Sequence, residues 1–195
     1  MTVHGRYPRV VADSPALDLP YRDLPGVDQD LFVRSNIPVW ACTSDLAATA
    51  TGVAIGTRVF LRKGDVVTNL TFASGATAGA TITNWWHALY DEAGAKLGQS
   101  ADQGSAGWAA NTAKKLALAS PVTIERDGWY IVATSMTATT VPSLIGAAPI
   151  VTATASVHTG SKALGVTFGS ALGGTAPATT GAQTGVAKCP LAIVS

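Results

Sequence analysis

Between Val66 and Val141, runs of β-branched and aromatic residues are broken by Gly, Asn and Asp. Strand-length runs punctuated by turn residues specify an antiparallel β-sandwich rather than alternating strands and helices. Pro38–Cys42 (PVWAC) predicts a short apolar strand. Residues 45–55 predict one short helix or a loop: Asp45 is an acceptable helix cap, but the Thr and Gly that follow weaken a helix. Next come a strand, a Lys63-Gly64-Asp65 turn and a second strand. NWWHALYDEAGAKLGQS predicts a hairpin with Asp91-Glu92-Ala93-Gly94 as its loop. Within it Trp86, Ala88 and Tyr90 share one face, and Trp85, His87 and Leu89 the other. AKKLAL and PVTIERDGWYIVATSM add two or three strands around an Arg126-Asp127-Gly128 turn, and CPLAIVS predicts a final strand. Residues 172–186 read as a linker or as an uncharged loop packed between subunits.

The opening segment differs. Residues 1–38 hold five of the ten prolines (Pro8, Pro15, Pro20, Pro25 and Pro38) and five of the twelve acidic residues. Proline at that density prevents a long helix and blocks pairing within a central strand. Yet Tyr7, Val10, Leu17, Leu19, Tyr21, Leu24, Leu31 and Phe32 are spread through it, and a plain disordered linker has no need of such anchors. The pattern predicts an extended arm over residues 1–38 that lays these side chains on a neighbour or back on its own domain. A sandwich domain over residues 39–195 follows it.

Charge narrows the picture. Only 13% of the 195 residues are charged and the formal net charge is +1, so there is no electrostatic case for nucleic acid, a membrane surface or an acidic substrate. From Ile131 to Ser195 the only charged residues are Lys162 and Lys188. A surface of Ala, Thr, Gly and Ser costs little to desolvate and suits burial against another subunit. The first ten residues have no apolar core of a secretory signal, and no apolar run approaches the length of a membrane helix.

Candidate chemistry is sparse. His4, His87 and His158 stand apart from carboxylates in sequence, and Cys42 and Cys189 form no metal-binding spacing. The two cysteines read as reduced thiols, with one disulfide left open. Phosphate-loop, dinucleotide and nucleophile-elbow motifs are absent. Asp91, Glu92, Asp102, Glu125 and Asp127 are the available acids, four of them in predicted turns. No catalytic, cofactor or metal residue is therefore assigned. The aromatics offer more. Trp85-Trp86 and Trp129-Tyr130 each put one ring on either face of a strand. In a two-layer fold one ring of each pair is core, and the other needs an interface or a ligand such as a stacked sugar. The expectation is that Trp86, Tyr90 and Trp129 form core and that Trp85 points to an interface or solvent.

The run NWWHALYD, LGQSAD, GWAANTAKKLALASP and GWYIVATSMTATTVPSLIG, within residues 58–146, resembles a β-sandwich module of virion proteins from tailed phages of actinobacteria. The departure is Trp129-Tyr130, where a Tyr pair is commoner. The resemblance implies a jelly-roll sandwich and a structural role without enzymatic activity, as a head decoration or minor tail protein. It implies assembly in the host cytoplasm onto a virion surface, as a small ring, often a trimer. The expected partner is the major capsid protein or a tail protein, with a surface glycan as a further possibility and no cofactor.

Overall fold

A computed structural model describes residues 33–148 and 162–195. Among them there is no α-helix and there are thirteen strands. They are β1 (Arg34–Ser35), β2 (Ser44–Leu46), β3 (Ala54–Leu61), β4 (Val66–Ala73), β5 (Ala80–Tyr90), β6 (Lys96–Gln99), β7 (Ala113–Thr123), β8 (Gly128–Thr140), β9 (Leu144–Ala147), β10 (Gly165–Phe168), β11 (Thr184–Val186), β12 (Cys189–Pro190) and β13 (Ala192–Val194).

A four-stranded sheet has the order β1-β13-β4-β7, a six-stranded sheet β11-β10-β3-β8-β5-β6, and a small sheet β12-β9-β2. Every pairing is antiparallel. The two larger sheets face each other over the main core, where Val59, Leu61, Val67, Leu70, Phe72, Trp85, Leu89, Trp108, Tyr130, Val132 and Val194 are buried. The predicted antiparallel β-sandwich is the fold.

The sandwich has a further layer. Trp86, Ala88, Tyr90, Ile131, Ala133, Val166, Phe168 and Ala176 form a second buried cluster on the outer face of the six-stranded sheet. Residues 169–183 make its cover. They leave β10 near one edge of that sheet and cross its face. They are tied down by Leu172 N–H to the Gly52 carbonyl (2.9 Å) and Thr137 Oγ1 to the Leu172 carbonyl (2.7 Å). At the far edge Lys96 N–H donates to the Ala178 carbonyl (2.9 Å) and Ala95 pairs with Thr179. The chain then returns to pair β11 with β10. Residues 172–186, read from sequence as a linker or an intersubunit loop, thus form a strap on their own domain. Their lack of charge fits them to lie on an apolar sheet face.

Other local expectations need adjustment. Pro38–Cys42 is not a strand: Val39–Ala41 is a single 3₁₀ turn. Residues 45–55 hold the end of β2 and a loop into β3, with no helix. AKKLALASPVT is one strand, β7, with an irregularity opposite Val67–Asn69 that accommodates Pro121 at a sheet edge. The β5–β6 hairpin is as expected, and Gly94 supplies the positive φ (91°) its turn requires.

The predicted boundary after residue 38 leaves one strand of the sandwich on the arm's side. β1 pairs with β13, and the partly buried Arg34 guanidinium meets Asp65 at 3.2 Å. Asn36 donates from Nδ2 to Thr57 Oγ1 and to the Pro190 carbonyl (both 2.8 Å) and accepts the Ala192 N–H at Oδ1 (2.9 Å). The sandwich therefore begins by Arg34. Edge-strand pairing was invisible in a segment whose composition is dominated by proline.

Candidate functional site

His87 is the most buried titratable group, and its place in the fold explains it. It projects from β5 across the sandwich toward β7 of the opposite sheet. Its Nε2 lies 3.2 Å from the Lys114 carbonyl and its Nδ1 3.0 Å from Thr134 Oγ1. A carbonyl can only accept, which puts the ring proton on Nε2; Nδ1 faces the Thr134 hydroxyl, whose single proton is shared with the Trp86 carbonyl (3.1 Å). Burial pushes the imidazole down to about 4, against backbone hydrogen bonds with Lys114 and Trp86 that raise it. The ring is packed against Phe72 (4.9 Å between centroids), Trp85 (5.7 Å) and Trp108 (5.7 Å). A neutral imidazole walled in by aromatics, with a polar partner at each nitrogen, is a polar tie between two sheets.

The acids also serve the backbone. Asp102 accepts from the N–H groups of Trp85 and Gly104 (both 3.0 Å) and from Asn84 Nδ2 (2.7 Å). Its burial pushes the carboxyl up, and these three hydrogen bonds outweigh burial and hold it below its ordinary value. Asp91 receives the Ala95 N–H (2.8 Å), Asp127 the Lys63 N–H (2.7 Å) and Asp65 the Arg62 N–H (2.8 Å). Glu92 pairs with Lys162 at 2.6 Å, both side chains being exposed. Each of these carboxylates braces a turn or a loop, a use that fits their predicted positions in turns.

The three buried indoles are likewise anchored. Trp85, Trp86 and Trp108 donate their ring N–H to the carbonyls of Ala106, Gly173 and Thr112, each at 2.9 Å. Trp85 is 1% exposed and lies in the main core, stacked at 5.0 Å on Trp108. The expectation that Trp85 faces an interface or solvent is overturned. Its alternation with Trp86 is as predicted, but the strap buries the second face as well, so neither ring is left over.

Trp129 shares the outer face with Trp86 and Tyr90 as expected, yet it is 43% exposed rather than core. It lies beyond the strap at the end of the sheet, opposite Phe60 on β3, and the rings meet edge to face at 5.6 Å. Trp40, at the 3₁₀ turn where the chain enters the sandwich, is 80% exposed beside the exposed Val39. The eight arm residues Tyr7, Val10, Leu17, Leu19, Tyr21, Leu24, Leu31 and Phe32 lie outside the described residues.

The residues that sequence reasoning missed are Trp40, Phe60 and Arg58. Phe60 could have been found from its parity with Arg58 along β3. Nothing local marks Trp40, because PVWAC has the composition of a buried strand. Cys42 and Cys189 are both free thiols; Cys189 is buried, with Sγ 3.4 Å from Thr57 Oγ1, and Cys42 is half-buried. Among the described residues no three His, Cys, Asp or Glu side chains gather as a metal site, and no helix is long and apolar enough to cross a membrane. Compared with family models and with curated proteins, the chain matches none.

Proposed function

We propose that this protein is a non-enzymatic structural component of a tailed-phage virion: a capsid decoration protein, docked by its N-terminal segment and self-associating through the sandwich. Three features support the reading. The sequence run across residues 58–146 resembles virion modules. Take β1, β3, β4, β5, β6, β7, β8 and β13 as the first to eighth strands. One sheet then runs first-eighth-third-sixth, and the other contains second-seventh-fourth-fifth. That order fits the double Greek key of a jelly roll, an architecture common in capsid proteins, and so supports the jelly-roll reading. Asp65, Asp91, Asp102 and Asp127, finally, are occupied in bracing turns and loops.

The observation that carries the docking role is the entry point of the chain. The 32 residues that precede the described sandwich, rich in proline and in apolar anchors, join it at an edge strand. At that root stands Trp40, four-fifths exposed on a turn fixed by Asn36 and β1. Large exposed aromatics on rigid turns are the side chains that dominate interfaces. The outer face of the four-stranded sheet, where Ala113, Ala117, Ala119 and Thr123 of β7 lie exposed, suits contact between copies, for which a trimer is the expected form.

Counting this protein by quantitative mass spectrometry of purified virions tests the reading. Copy numbers comparable with the capsid protein fit decoration, and absence from virions refutes the proposal. A few copies per particle would favour the second reading, a minor tail or fibre protein. The exposed Phe60–Trp129 pair supports that alternative, since an aromatic edge of this kind is suited to stacking on a receptor glycan.

A further inference from the structure

Among the described residues, the outer face of the six-stranded sheet carries three buried polar side-chain atoms with no hydrogen-bond partner. They are Arg58 Nη1, the Tyr90 hydroxyl and, opposite Trp86 on β8, Ser135 Oγ; the first two lie together. Arg58 is 7% exposed and Tyr90 is fully buried. Register places both opposite Ile131, Arg58 on one side and Tyr90 on the other, so one cross-strand row holds them on the same face. The remaining guanidinium groups meet only neutral acceptors: Nε donates to the Ala163 carbonyl (3.1 Å) and Nη2 to Gln183 Oε1 (2.9 Å). Glu92 is near enough to act on Arg58 through space, but its own hydrogen bond is with Lys162. A buried guanidinium normally meets an anion in direct contact, because desolvating a charge without one is costly. Tyr90 touches Phe168 edge to face (5.4 Å), which sets its hydroxyl in an apolar layer where an unmet donor is also costly.

We propose that the row Arg58–Ile131–Tyr90 is a binding site for a small monovalent anion of halide or formate size, held beneath the strap. Arg58 Nη1 supplies charge and N–H donors, and the Tyr90 hydroxyl supplies a second donor. Ala163 and Gln183, which take the other two guanidinium nitrogens, close the Arg58 side of the row. Neither donor is needed for the jelly-roll reading or for docking, so this site stands independently of the proposed function.

The test uses the full chain at constant ionic strength, replacing gluconate stepwise by chloride. Chloride should raise the thermal midpoint along a saturable curve, and the chloride-35 NMR line should broaden in proportion to protein. Tyr90→Phe removes one donor and keeps the ring. It should weaken the fitted chloride affinity by about tenfold, equivalent to about 1.4 kcal/mol, the size of one net hydrogen bond. Arg58→Met should abolish both effects; if it does not fold, Tyr90→Phe and the wild type still decide the matter. Formate should compete with chloride for the line broadening. A midpoint that depends on ionic strength alone, or broadening identical in wild type and Tyr90→Phe, overturns the proposal and leaves the two donors to water.

Discussion

The two large sheets of this sandwich have been treated differently. The four-stranded sheet buries its inner face and leaves β7 exposed at Ala113, Lys115, Ala117, Ala119 and Thr123. The six-stranded sheet buries both faces, so β5 reads as buried at every position from Trp85 to Tyr90. Alternation of hydrophobicity therefore reports burial only in the four-stranded sheet. In β5 the pair Trp85-Trp86 looked like one core ring and one spare ring. It proves to be one ring for each of two cores. A two-sided strand demands a second cover, and here a strap of Gly, Ala and Thr supplies it. Where the strap ends, the aromatic content of that face emerges as Phe60 and Trp129.

The largest effects should come from dismantling either core. Trp85→Ala and Trp86→Ala should each cost about 3–5 kcal/mol, the range for a large aromatic removed from a packed interior. Denaturant midpoints of the two variants make the comparison directly. A loss below about 1 kcal/mol for Trp86→Ala, beside a full loss for Trp85→Ala, would show that the strap is not a packed layer.

His87 sharpens the same contrast through pH. Its folded-state value of about 4 lies below the ordinary 6.5, so between these limits the unfolded chain binds the proton and the folded chain does not. Stability should then fall as pH drops from 6.5 to 4, by about 3 kcal/mol for a shift of that size. His87→Gln should have lower stability at neutral pH and a flattened slope across that window. Urea unfolding at a series of pH values reads both.

Asp102→Ala removes the acceptor of two backbone N–H groups and one side-chain amide. It should destabilise by about 1–3 kcal/mol, with hydrogen exchange accelerated at Trp85 and Gly104 rather than in the four-stranded sheet. Smallest of all, Trp129→Ala and Trp40→Ala should each change stability by less than about 0.5 kcal/mol, as expected for exposed positions outside a core. Trp40→Ala should nevertheless weaken attachment to virions in a co-sedimentation assay, where Trp129→Ala leaves it intact. A Trp129→Ala variant that unfolds would mean the outer core extends past the strap to the sheet's end.

Strand positions were readable because their cause is local. The Lys63-Gly64-Asp65 corner, the Asp91–Gly94 loop and the alternation along β5 follow from turn chemistry and a period of two. The same period separates Trp85 from Trp86 correctly. Apart from Pro38–Cys42, a predicted strand that is a 3₁₀ turn, what failed were inferences that needed to know what lay above a face or beside an edge. The core or surface fate of Trp85 and Trp129 depends on residues 169–183 crossing the sheet, a contact about eighty residues away from β5 in the chain. Edge pairing of Arg34–Ser35 with Ile193–Val194 is longer-range still.

An all-β sandwich, its main turns and the parity of its strands could be read along the chain, because steric preferences and the pleat act between neighbours. That the six-stranded sheet has two cores, and that His87 bridges the sheets as a neutral ring, follows only from how distant segments pack. The same packing brings Arg58 and Tyr90 into one buried row and leaves Trp40 and Trp129 as the exposed tryptophans among the described residues. Burial is a property of what covers a residue, and in an antiparallel sandwich the cover comes from strands and loops whose distance along the chain no local pattern records.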